Sequence, residues 1–248
     1  MTLVGRLAEI EARGGRAVLL TVIDGAPLGA KLLVLEGGAS EGNAPASLAR
    51  LGDDLIRAGR NRIVEEGGLK VFAEVYAPPP RLFVYGAVDT AECLCKAARL
   101  LGWHTIVADA RSKFATRERI PSADELLVEW PEEALDRIRP DHSTAIVVLT
   151  HDDKFDEPAL RAALATEAFY IGALGSRRNQ ERRRERLLDS GIAAADIDRI
   201  HGPCGLDIGA ESQEETALSI LAEIVAARAG REGGPLRSAK QRIHAGPE

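Results

Sequence analysis

The chain has 248 residues, 45% hydrophobic and 28% charged, with a formal net charge of −6. This acidity argues against a general nucleic-acid binder, and no apolar run approaches the ~18–20 residues that a membrane-spanning helix needs. Three cysteines without framework spacing, and an N-terminus lacking the basic and apolar regions of a signal peptide, predict a cytoplasmic protein in a reducing compartment.

Residues 1–76 read mostly as strands around one helix. Apolar, β-branched runs at 17–23 and 30–35 flank a turn signal at 24–27. Leu48, Leu51, Leu55 and Ile56 form the stripe of an amphipathic helix that closes near Gly59, and 69–76 reads as a strand. The prolines of 77–80 remove backbone donors and make a stiff linker.

Beyond the linker, residues 81–230 alternate. Strands are predicted at 82–85, 105–108, 145–150 and 169–174, with a weaker one at 125–129. Helices are predicted at 91–101, stopping at Gly102, at 158–164 and at 180–188. Ser212 and Glu215 have capping-box spacing and open a last long helix through about Arg228, and 231–248 is a Gly/Pro/charge-rich tail. The expected fold is α/β: a Rossmann-like, doubly wound parallel sheet preceded by a smaller mixed α/β domain.

Two loops carry the chemistry. In the first, an apolar run ends at Gly175 and is followed by Ser176, Arg177 and Arg178, so a strand delivers a helix N-terminus whose free N–H groups face an anion. Arg178, Arg182, Arg183, Arg184 and Arg186 read mainly as a solvated face paired with Glu181 and Glu185. In the second, Gly202, Gly205 and Gly209 surround Asp207 just before the last helix.

The other candidates have weaker patterns. At the end of the strand at 145–150, His151, Asp152, Asp153 and Asp156 offer acid/base or oxygen-ligand groups, or a solvated loop in which Asp156 caps the next helix. A tight zinc site is disfavoured, since no Cys or second His lies near in sequence. The turn at 86–91 stands where a dinucleotide fingerprint would be, with Asp109 at the ribose distance, but Val88 replaces the middle glycine and Asp89 adds negative charge. It reads as retained scaffold. Cys93 and Cys95 fall on different helix faces, one core and one incidental. Cys204 reads as a buried inert thiol, with an accessible thiolate as the alternative. His142 and His244 read as incidental.

The segments 83–91, 108–119 (Asp109, Arg111, Phe114, Ala115, Thr116, Glu118, Arg119), 149–155, 169–178, 200–210 and 214–227 resemble the XdhC/CoxI family, accessory proteins of molybdenum hydroxylases such as xanthine dehydrogenase. The resemblance is strong over 81–244 and weaker over 17–76. It implies a small N-terminal domain, a Rossmann-like domain and a homo-oligomer. It also implies a maturation factor rather than a catalyst: one that binds molybdenum cofactor (molybdopterin), works with a cysteine desulfurase in its sulfuration, and delivers it to an apo molybdenum hydroxylase. With the loop positions, it assigns cofactor contacts to His151, Asp152, Gly172, Gly175, Ser176, Arg177, Gly205, Leu206, Asp207 and Gly209, and a sulfur-carrier role to Cys204. The family's first βα turn usually reads Gly-Ala-Gly-His-x-Ala, and many members carry small-domain cysteines; residues 1–76 here contain none. Two alternatives follow: an NAD(P)-dependent oxidoreductase with a degenerate turn, or a non-binding partner of a cysteine-bearing homologue.

Overall fold

The computed structural model describes residues 2–150 and 152–239. The chain divides into two compact units, with the boundary between Pro78 and Pro79 and again between Gly233 and Gly234. Among the described residues, no helix is long and apolar enough to cross a membrane.

The first unit is an antiparallel five-stranded sheet in the order β3-β2-β1-β5-β4. Its strands are β1 (Ala17–Asp24), β2 (Lys31–Leu35), β3 (Ser40–Gly42), β4 (Arg62–Glu66) and β5 (Leu69–Tyr76), with α1 (Leu3–Ala12) and α2 (Gly52–Ala58). The alternation of β1 sends Val18, Leu20 and Val22 into the core under α2, and Ala17 and Leu19 toward Leu7 and Ile10 of α1. Gly59 ends α2 in the left-handed conformation (φ 59°), as its place after the apolar stripe predicts. The expectation of one helix in this part is corrected: α1 precedes the sheet, and a 3₁₀ turn over Ala46–Leu51 takes the first half of the Leu48–Ile56 stripe.

The second unit is a six-stranded, all-parallel sheet in the order β11-β10-β9-β6-β7-β8. Its elements are β6 (Arg81–Tyr85), α3 (Asp89–Leu100), β7 (His104–Ala108), β8 (Glu125–Leu127), α4 (Pro131–Ile138), β9 (Thr144–Val148), α5 (Asp153–Leu164), β10 (Tyr170–Ala173), α6 (Arg177–Asp189), α7 (Ala194–Ile197), β11 (Ile200–His201) and α8 (Gln213–Arg228). This is the doubly wound Rossmann order, in which ligands bind beyond the carboxyl ends of the strands where the winding reverses, here between β6 and β9. Both faces are covered, so the strands read as continuous apolar runs. Leu82 and Val84 of β6 face the core shared with α3 and α8, whereas Phe83 and Tyr85 face the core shared with α4 and α5.

Three sequence expectations are corrected in this unit. Helix α5 begins at Asp153, not Pro158: Asp152 is its N-cap and Asp156 lies inside it, buried. Arg183 is also buried, and the partners of the α6 arginines are Asp156, Asp198, Asp153 and Glu157 rather than Glu181 and Glu185. Helix α4, absent from the sequence reading, starts at Pro131, where proline's missing donor costs nothing.

Candidate functional site

The winding reversal brings the β6–α3 turn against the end of β9. Gly86 has φ 111°, and a Cβ built on it would lie 2.9 Å from Thr150 Cγ2 and 3.1 Å from its backbone nitrogen, so only glycine fits. Two of the turn's donors are already used. Ala87 N–H donates to Asp109 Oδ2 at 3.0 Å, and Val88 N–H to the Gly86 carbonyl at 3.0 Å. The Asp109 carboxylate is buried and also accepts from Arg111 N–H, Nε and Nη2 at 2.9, 2.9 and 2.8 Å. Burial alone would raise its pKa, but the hydrogen bonds from Arg111 and Ala87 outweigh that and hold it below the usual carboxylate value. Asp109 is therefore not a free ribose acceptor.

Along the ends of β7 to β9 runs a ledge of cations on aromatic rings. The Arg111 guanidinium sits 4.0 Å from the Phe114 ring centre and 5.5 Å from that of Phe155. Arg119 lies 4.8 Å from Phe114 and pairs with Asp89 at 3.2 Å. Trp130, the N-cap residue of α4 and 41% exposed, lies 5.3 Å from Phe155, with Lys154 Nζ 5.2 Å from its ring. Phe155 is buried and Phe114 lies under the two guanidinium groups, so Trp130 is the exposed aromatic surface of the ledge, beside positive charge. The sequence reading missed it as a site. Its signal was the Asp109–Arg119 segment, noticed only as a resemblance.

At the end of β9, His151 lies outside the described residues. Asp152 accepts the Lys154 N–H at 3.0 Å, the N-cap bond of α5. The Thr150 hydroxyl donates to the Asp156 carboxylate, which pairs with Arg183 Nη2 at 2.8 Å. The same Nη2 reaches the Leu174 carbonyl at 3.2 Å, so this buried pair fastens the ends of β9 and β10 to each other. Nε and Nη1 of Arg183 find no hydrogen-bond acceptor, and Arg183 lines a pocket of about 180 Å³ with Gln180, Leu187, Ile197, Ile200 and Gly202. Among the described residues, no group of three or more His, Cys, Asp or Glu converges as metal ligands.

At the end of β10, Gly175 (φ 144°) leads into α6, whose N-cap Ser176 accepts the Asn179 N–H at 3.2 Å. Ser176, Arg177 and Arg178 are exposed. Among the described residues, neither arginine meets a carboxylate, although α6 has no acidic residue in its first turn to occupy its positive end. Gly172 lies one strand position inside, where a Cβ would meet the Tyr170 ring at 2.7 Å and Cys204 Cβ at 3.1 Å. It serves packing there.

The loop after β11 is anchored from α8. Glu223 accepts from Tyr170 Oη at 2.5 Å and from Gly205 N–H at 2.8 Å, and His201 Nδ1 lies 3.4 Å from its other oxygen. The His201 ring stacks on Tyr170 at 4.5 Å. Leu206 exchanges hydrogen bonds with Ser219, its N–H reaching the Ser219 carbonyl at 3.2 Å and its carbonyl accepting the hydroxyl at 2.6 Å. Asp207 and Gly209 are exposed. Cys204 is buried, and burial followed by the charge of Glu223 pushes its thiol up to about 12. Burial likewise raises Cys95 to about 12 and raises Cys93. All three thiols are therefore protonated near neutrality.

Asp152, Gly175 to Arg177 and Gly205 to Gly209 thus follow three neighbouring strands, β9, β10 and β11, at one edge of the sheet. The ledge spans the winding reversal, Phe155 following β9 and Arg111, Phe114 and Trp130 following β7 and β8.

The XdhC Rossmann domain family model matches residues 82–224. YqeB of Escherichia coli (strain K12) is 34% identical over 172 residues, 68% of this chain and 31% of YqeB. A Bacillus subtilis (strain 168) protein, named as a probable subunit of xanthine dehydrogenase, is 34% identical over 158 residues, 64% of this chain and 46% of its own. PaoD of Escherichia coli (strain K12), named a molybdenum cofactor insertion chaperone, is 29% identical over 164 residues, 66% of this chain and 45% of PaoD. The matches span less than half the length of these curated relatives. A crystal structure from Bacillus halodurans, described as a xanthine dehydrogenase, superposes with a TM-score of 0.67 and 25% identity over 95% of this chain and 65% of that one. The family match covers more than half of the chain and coincides with its parallel-sheet unit: this chain belongs to the XdhC family.

Proposed function

We propose that the protein is a molybdenum cofactor insertion chaperone, which holds the cofactor at the carboxyl edge of its parallel sheet and passes it to an apo molybdenum hydroxylase. The observation that carries this reading is the N-terminus of α6: exposed, without an acidic first turn, and flanked by Arg177 and Arg178. A phosphate on the pterin fits there, receiving N–H groups and a guanidinium. Gly205 to Gly209, steadied by Glu223 and Ser219, would close one side, and Asp152 the other. Bound, the cofactor supplies its own metal chemistry. The chain's part is to bind the phosphate, orient the ring and exclude water.

Sulfuration belongs, in this proposal, to a cysteine desulfurase acting on the bound cofactor. Cys204 would carry sulfur only after the Gly202–Gly205 loop opened, because its thiol is buried and protonated as it stands. That burial, with the absence of cysteine from residues 1–76, favours a second reading in which a cysteine-bearing homologue is the partner. The nicotinamide reading has little support at the β6–α3 turn, where the Ala87 and Val88 N–H groups and Asp109 are already bonded.

The test is calorimetry of the purified chain with the pterin cofactor. Arg177→Ala should weaken binding about tenfold or more, the scale of one charge-assisted contact, while leaving the thermal transition unchanged. Unaltered affinity would remove α6 from the site. Binding seen only after mixing with a cysteine-bearing homologue would favour the partner reading.

A further inference from the structure

We infer that the inward side of α6, with α7 and β11, forms a second binding site, for a small neutral molecule that carries a carbonyl oxygen on a short apolar body. The site is the pocket of about 180 Å³ lined by Gln180, Arg183, Leu187, Ile197, Ile200 and Gly202. Arg183 is only 4% exposed, yet of its terminal nitrogens Nη2 alone is used, on Asp156 Oδ2 at 2.8 Å and on the Leu174 carbonyl at 3.2 Å. A guanidinium has five N–H groups. Those on Nε and Nη1 have no acceptor among the described residues. A buried donor without a partner is costly, so its retention calls for an occupant.

The walls select against water alone. Leu187 and Ile197 are buried and Ile200 is half-buried, a surface that offers a water no hydrogen bond. A buried water needs two to four polar partners. Gln180 is already committed, its Nε2 donating to the Ala173 carbonyl at 2.9 Å. Gly202 leaves it that seat, since a Cβ there would lie 2.4 Å from Gln180 Cδ. An apolar cavity of about 150 Å³ takes a benzene molecule, so this pocket admits a branched or ring-sized body. Free donors set against apolar walls are the pattern of a small-molecule site.

Charge selects against an anion. Arg183 is paired with Asp156, Arg184 with Asp198 at 2.6 Å, and exposed Glu181 adds negative charge. A carboxylate entering the pocket would find its cations already balanced, whereas a neutral carbonyl oxygen accepts from Arg183 without that repulsion. The pocket does not depend on what Ser176 and Arg177 bind. It is tied to their edge of the sheet all the same, because Nη2 of the same guanidinium holds the Leu174 carbonyl, one residue before Gly175.

The probe is isobutyramide, titrated into the full chain and followed by proton–nitrogen NMR. The Arg183 Nε–H resonance, assigned by its loss in Arg183→Lys, should shift with half-saturation at about 10 mM or less, as expected for a molecule this small. Isobutyrate, of the same shape but charged, should bind at least about tenfold more weakly. Ile200→Phe, which fills the pocket from its apolar wall, should abolish the shift with the circular dichroism spectrum unchanged. A resonance that does not move at about 100 mM isobutyramide, or that still moves in Ile200→Phe, would overturn the inference. So would a crystal soaked in isobutyramide that shows only waters on Nε and Nη1. Isobutyrate binding as tightly as the amide would overturn the assignment of a neutral ligand.

Discussion

Residues 177–186 contain six arginines, and composition alone makes them a solvated helix face. Arg183 departs from this because the inward stripe of α6 is Gln180, Arg183 and Leu187, at steps of three and four. Gln180 bonds the Ala173 carbonyl at 2.9 Å, Arg183 takes Asp156, and Leu187 is buried. A stripe with one apolar member in three has no amphipathic signature, so the burial of Arg183 was not legible. For the same reason the sequence offers Asp156 as an oxygen ligand or a cap of the next helix, since its partner lies 27 positions away. Removing either charge deprives the other, buried one of its ion-pair partner. Arg183→Ala or Asp156→Ala should therefore cost about 3–5 kcal/mol, and the pair Arg183→Met with Asp156→Leu should recover most of it. Urea unfolding monitored by circular dichroism measures this. A loss no larger than that of a surface ion pair would show that the buried pair is not holding the ends of β9 and β10 together.

At the scale of elements, long and well-marked segments were legible. The capping box at Ser212 is present, with Glu215 N–H donating to the Ser212 hydroxyl at 3.1 Å and Ser212 N–H to the Glu215 carboxylate at 3.0 Å. The loop at Gly175 does deliver a helix N-terminus, as its pattern indicated. Short elements were lost. Strand β4 pairs with β5 through Gly67 and Gly68, at φ 58° and 79°, the two-residue hairpin that adjacent glycines favour. That signal was available and unread, because Arg62–Glu66 carries three charges in five residues. The β6–α3 turn shows the opposite limit. Its glycine and helix were visible, but that Asp109 consumes the Ala87 N–H was not. Val88→Gly, which restores the middle glycine, should therefore fail to confer nicotinamide-dinucleotide binding by calorimetry. Micromolar binding by that variant would mean that Val88 alone had blocked the turn.

At the scale of the whole molecule, each apolar core lies within one unit. The cores on the two faces of the parallel sheet are drawn from residues 82–227, and those of the antiparallel sheet from residues 3–76. We predict that residues 79–233 expressed alone fold and melt in one cooperative transition, seen as coincident loss of far-ultraviolet and near-ultraviolet circular dichroism. A broad or absent transition would show that the parallel-sheet unit needs the rest of the chain.

Local order is what the sequence by itself determined. Apolar runs, glycine stops and a capping box are short-range signals, so strand and helix alternation, and hence the doubly wound α/β class, followed from them. The family resemblance followed from the same segments. Only the tertiary structure decided which polar groups are already bonded and which remain open to a ligand. Asp109 and Asp156 are taken up by partners, Cys204 is buried under its own loop, and Arg177 stays exposed at the α6 N-terminus. Arg111, Phe114, Trp130 and Phe155 became a ledge only when the ends of β7, β8 and β9 were brought to one edge of the sheet. Such pairings join positions far apart in the chain, and burial and hydrogen bonding act through space.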